Sequence, residues 1–86
     1  MTDEQRFDPA SESAVRSLRE VRAERLLSLR ELAQRADVAP STIYLIEAGR
    51  TRPRLSVVRR LSEALAVDPR AVTEFRRAIR DHADSR

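Results

Sequence analysis

An all-α domain of five short helices built around a two-helix unit is what this sequence predicts, and three observations carry that expectation. Apolar residues recur at helical spacing in successive segments, as in Val57, Val58, Leu61, Ala64 and Leu65. Helix starts are marked by caps and prolines, as at Ser28 with Glu31 three residues on, and at Pro40. The only glycine, Gly49, stands where a helix would end rather than inside one.

In chain order, residues 1–12 are polar apart from Phe7 and read as a mobile N-terminal tail. The first helix is expected to start near Ser11 or Ser13, to reach about Arg25, and to bury Val15, Leu18 and Val21. Arg16, Arg19, Glu20, Glu24 and Arg25 make its solvated charged face, whereas Arg22 falls beside the apolar stripe.

Residues 29–48, LRELAQRADVAPSTIYLIEA, read as two helices joined by a tight turn. Ser28 and Glu31 form a capping box that starts the first of them, in which each side chain satisfies the other residue's amide. Leu32, Ala33 and Ala36 share its buried face, and the small Ala33 lets another helix cross closely. Asp37 breaks the pattern with a residue that tolerates the left-handed conformation, and Val38 returns to the core. Pro40 suits the first position of the next helix, whose wheel separates Ile43, Ile46 and Glu47 from an outward face of Ser41, Tyr44, Leu45 and Ala48.

A proline-punctuated loop, GRTRPR, follows, and a fourth helix is expected from about Ser56 as its cap. Asp68 and Pro69 are expected to be the cap and first position of a fifth helix. There Val72, Phe75 and Ile79 form a stripe at i, i+3 and i+7 with nothing after it to cover its outer edge, which makes them the candidate dimer interface, the alternative being that the stripe packs back onto the first helix. The last residues, DHADSR, are expected to fray. The organisation expected is thus a tail over 1–12, a helix-turn-helix domain over 13–68, and a C-terminal dimerisation helix with a frayed end over 69–86.

The stretch LRELAQRADVAPSTIYLIEAGRTRP resembles the Xre family, the helix-turn-helix group of phage Cro proteins and repressors. It carries the family's L-A, four residues, then V, followed by S-T-I, I-E, G-R and a proline, and the resemblance extends over about residues 15–67. Leu26 and Asp37 stand where the family usually has glycine, Leu29 where it often has a polar phosphate contact, and Ala39 where a Ser or Thr cap is usual. The resemblance implies a five-helix lambda-repressor-like domain and a DNA-binding transcriptional regulator, by default a repressor acting as a homodimer. It further implies an ion pair between Arg22 and Glu47. Pro40, Ser41, Tyr44 and Leu45 would then meet base edges, and Arg30, Thr42, Arg50, Arg52 and Arg54 the phosphates.

Composition agrees with a polyanion partner. The formal charge is +3, yet 15 arginines stand against 8 acids between positions 14 and 80, and Arg50, Arg52, Arg54, Arg59 and Arg60 have no acid among them. Every basic side chain is arginine, a bias that a GC-rich genome also produces. Cysteine is absent, which removes disulfides and thiolate metal sites, and the one histidine, His82, has no nucleophile or carboxylate pair to serve. No catalytic residue, metal or cofactor is therefore expected, nor a membrane span, and the expected location is the cytoplasm. The outward face lacks Asn, Gln, Arg and Lys, so sequence readout is expected either to be modest or to lean on Arg50 and on DNA shape. The alternative is a protein-interaction module, such as an antitoxin or co-regulator for a separately encoded protein, with Tyr44 and Leu45 as its apolar contacts.

Overall fold

The computed structural model describes residues 15–84. It holds α1 (Leu18–Glu24), α2 (Leu29–Ala36), α3 (Pro40–Glu47), α4 (Leu55–Leu65), a single 3-10 turn (Pro69–Ala71) and α5 (Thr73–Asp84). The expectation of an all-α domain with five helices holds. The tail expected over 1–12 lies outside the described residues.

Four boundaries differ from the periodic pattern, two of them where hydrogen bonds hold the backbone extended or in a tighter turn. α1 starts at Leu18 rather than near Ser11 or Ser13, which lie outside the described residues. Ser17 is its cap and forms a capping box with Glu20. The residue before it, Arg16, is extended instead, because its amide donates to Ala71 O at 3.0 Å and its carbonyl accepts from Thr73 N at 2.9 Å. α4 starts at Leu55 with Arg54 as cap, so Ser56 lies within the first turn and is not the cap. Asp68 and Pro69 start the 3-10 turn rather than α5: the Asp68 carboxylate accepts from Arg70 N at 2.9 Å, Val72 is extended, and α5 follows. At the other end α5 continues to Asp84, so Asp81, His82, Ala83 and Asp84 are helical, while Ser85 and Arg86 lie outside the described residues.

One core joins all five helices: Leu18 and Val21 of α1, Leu32, Ala33 and Ala36 of α2, Ile43 and Ile46 of α3, Val58, Leu61 and Leu65 of α4, and Phe75 and Ala78 of α5. Val72 belongs to it too, and both Val72 and Phe75 are fully buried within the single chain. They are therefore not the dimer contacts that the periodicity suggested. Burying such a side chain contributes about 1.5–3 kcal/mol, and the stripe spends that on the domain's own core. Ile79 alone of the three stays half-buried. A further tie, from Leu18 N to the Glu74 carboxylate at 2.8 Å, fastens the start of α1 to the start of α5.

Four helix ends share one hydrogen-bond pattern. After α1, α2, α3 and α4 the residue in the left-handed region is Leu26 (φ 58°), Asp37 (φ 58°), Gly49 (φ 72°) and Ala66 (φ 55°). In each case the next amide reaches back to an earlier carbonyl: Leu27 N to Arg22 O, Val38 N to Ala33 O, Arg50 N to Leu45 O, Val67 N to Ser62 O. This is the Schellman closure, which satisfies carbonyls that the helix leaves open. It turns the chain sharply, and α2 packs against both α3 and α4.

Candidate nucleic-acid interface

The capping box at the start of α2 is closed in both directions, with Glu31 N donating to Ser28 Oγ at 3.0 Å and Ser28 N donating to the Glu31 carboxylate at 2.8 Å. Donation to the Glu31 carboxylate from the Ser28 amide first, and from the Ser28 hydroxyl second, holds that carboxyl below the ordinary carboxylate range. The left-handed turn at Asp37 is supported from α4, where an Arg60 guanidinium N–H donates to Asp37 O at 3.1 Å. Between these two ends α2 presents Arg30 to solvent.

α3 leaves that turn with Pro40 at its first position and Ala39 as a cap that supplies no side-chain bond. Ile43 and Ile46 point into the core and are fully buried. Pro40, Ser41, Tyr44 and Leu45 are exposed and Thr42 is half-buried; Tyr44 keeps 56 % and Leu45 38 % of its surface, high for large apolar residues. The orientation of this face is locked by Glu47. Arg22 Nε donates to Glu47 Oε2 at 2.7 Å and Arg22 Nη2 to Glu47 Oε1 at 3.0 Å, while Arg22 Nη1 donates to Leu27 O at 3.0 Å. A bidentate pair of this kind admits little rotation of α3 against α1. The hydrogen bond to Glu47 raises the Arg22 pKa above the ordinary arginine value, against the opposing effect of burial.

Beyond Gly49 the loop carries Arg50, Arg52 and Arg54, all exposed, and Pro53 between them is buried and anchors it. Arg50 and Arg54 therefore flank the end of α3 as cations in solvent. Arg52 differs: its Nε lies 3.0 Å from Asp81 Oδ2 on α5. Sequence reasoning missed Asp81, and it placed Arg60 in the basic patch without its contact to Asp37. Their partners lie 29 and 23 positions away, and no periodicity within a helix links residues so far apart.

Chemically, the arrangement offers a rigid helix face with two hydroxyls and a leucine, next to guanidinium groups spaced along a loop. Backbone cations and a projecting helix are what a duplex requires. Among the described residues there is no group of three or more His, Cys, Asp or Glu that would hold a metal ion. No described helix is long and apolar enough to cross a membrane.

Neither the curated proteins nor the solved structures give a significant match. A family model described as helix-turn-helix matches residues 18–72, well over half of the chain. That span takes in α1 to α4 and the 3-10 turn, and so includes both helices of the motif, the Arg22 and Glu47 pair, and the arginine loop. The chain belongs to the Xre-type, lambda-repressor-like helix-turn-helix family of DNA-binding regulators.

Proposed function

We propose that this protein is a sequence-specific transcriptional repressor that inserts α3 into the major groove of double-stranded DNA and acts in the cytoplasm as a homodimer, with no catalytic step. The observation that carries this reading is the division of α3 into a locked face and an open one. Ile43, Ile46 and Glu47 hold the helix, while Ser41, Tyr44 and Leu45 project between exposed arginines. Hydroxyls suit base edges or phosphate oxygens, and a leucine suits a thymine methyl. Pro40 leads the helix toward the bases, and Arg30, Thr42, Arg50, Arg52 and Arg54 are the phosphate contacts of this reading. Occlusion of a promoter requires only that the bound protein stays there.

Dimerisation is placed at the groove beside Ile79, which takes over from the buried stripe. Leu55, Val58, Val67 and Pro69 line it with Ile79. Arg59 and Glu63, one helical turn apart, border it. A second copy related by a two-fold axis sets Arg59 of each against Glu63 of the other, the reciprocal pairing of an isologous interface. Sedimentation of Arg59→Glu, Glu63→Arg and the double variant tests it: each single change yields a folded monomer and the double change restores the dimer. A dimer indifferent to all three is assembled elsewhere.

Exposed Tyr44 and Leu45 also suit the alternative of a protein partner as the main target. Titration with salt separates the two readings. Binding to duplex DNA that weakens steeply with salt supports the repressor, since each neutralised phosphate contributes about 0.9 to the slope of log K against log salt. No binding even at low salt supports the protein partner. Selecting bound sites from random duplexes then gives the operator.

A further inference from the structure

We infer that Asp81 is an affinity-setting residue for DNA: its carboxylate occupies Arg52 in the free protein and so weakens attachment to phosphate. This rests on the DNA reading above.

The pair is built from two anchored backbones. Pro53, next to Arg52, is buried, and α5 is fixed by Phe75 and Ala78 in the core, two turns and one turn before Asp81. Between loop and helix runs a cleft whose charged lining is Arg50, Arg52, Glu74 and Arg77. Glu74 is already engaged by the Leu18 amide, which leaves Asp81 as the acid on this side of α5 that reaches the loop. Among the described residues, Arg52 is the one of the three loop arginines that is paired with a carboxylate.

The sign of the effect follows from exposure. The side chains of Arg52 and Asp81 keep 66 % and 36 % of their surface, so the pair stands in water and holds only weakly. A polyanion displaces such a carboxylate at small cost. Once DNA is bound, Asp81 lies near phosphates with its own partner shared or lost, and like charges repel. Both consequences oppose binding, whereas the gain from holding Arg52 in place is small for a pair this exposed. The balance is a brake.

The test uses the full chain, a random-sequence duplex and a selected site, with anisotropy measured across a salt series. Asp81→Asn is expected to tighten binding to both duplexes by about two- to fivefold, the range exposed ion pairs span. It should also steepen the slope of log K against log salt by up to about 0.9, as one more arginine becomes free to neutralise a phosphate. In an Arg52→Ala background the gain should shrink to less than half. Asp84→Asn, the same charge change one turn further along α5, should tighten binding less than Asp81→Asn does. Unchanged or weaker binding by Asp81→Asn overturns the inference, weaker binding because the carboxylate then positions Arg52 for DNA. A gain that persists in full without Arg52, or is matched by Asp84→Asn, also overturns it, since net charge is then the cause. A parent chain that binds no duplex at any salt overturns the DNA reading and this inference together; a salt-sensitive parent with an indifferent Asp81→Asn overturns only the inference.

Discussion

Glu47 and Arg22 form the most buried ion pair among the described residues. The Glu47 side chain is 8 % exposed and that of Arg22 16 %, so each neutralises a charge that water reaches poorly. Removing one partner of such a pair costs about 3–5 kcal/mol, a large part of the roughly 5–15 kcal/mol that holds a domain together. Glu47→Ala is therefore expected to lower the melting temperature far more than Arg19→Ala, whose side chain is exposed; calorimetry on the two variants compares them directly. Glu31 makes a second prediction at this scale. Its folded pKa is lowered, so its contribution is complete above the ordinary glutamate value of about 4.3 and is lost as pH falls through the lower folded value. Urea titrations between about pH 5 and 3 should show Glu31→Gln with a shallower loss of stability than the parent. Both features were legible beforehand, for different reasons. The capping box is local and declares itself in S-x-x-E spacing. The Arg22 and Glu47 pair joins positions 25 apart, and only the resemblance to a known family pointed to it. Ser17 and Glu20 form the same S-x-x-E box, but a helical pattern continuing upstream through Val15 hid it. The strand-like bridge from Arg16 to Val72 has no periodic signal at all.

Helix ends, more than helix interiors, shape the elements. The left-handed positions at Leu26, Asp37 and Ala66 put side chains where the backbone disfavours them, and Leu26 is 88 % exposed, so its side chain earns little packing in return. Left-handed backbone costs an L-residue about 1–2 kcal/mol, partly offset in glycine by its greater unfolded-state freedom. Leu26→Gly and Ala66→Gly should each stabilise the domain by about 0.5–1 kcal/mol. Gly49→Ala should destabilise it by about 1 kcal/mol through backbone strain alone, because an added Cβ meets nothing within 4 Å. Denaturant midpoints of the three variants check the pattern, and a stabilised Gly49→Ala would refute it. The turn at Asp37 was readable from residue type, whereas alanine carries no such mark and Ala66 was not. α5 shows the limit of periodicity most plainly. Spacing of Val72, Phe75 and Ile79 established that one face is apolar, but not whether that face meets its own core or a second chain. The closing contacts, from Leu18 to Glu74 and from Arg16 to Val72, are long-range, and they turn the stripe inward.

At the scale of the molecule, five short helices hold one outward helix face still beside a loop of cations. Legibility was highest there: the order of helices, the core face of α3 and the exposed residues around it follow from spacing, caps and the family resemblance. The central claim is that this face reads bases while the loop holds phosphates. Its most direct measurement is the affinity of Tyr44→Ala, Leu45→Ala and Arg50→Ala for a selected site and for random duplex over a salt series. The Tyr44 and Leu45 variants should lose about 1–3 kcal/mol on the selected site and little on random DNA. Arg50→Ala should weaken both duplexes alike and reduce the slope of log K against log salt by about 1. Equal losses on both duplexes for Tyr44→Ala, together with an unchanged slope for Arg50→Ala, would contradict the docking of α3 in the major groove.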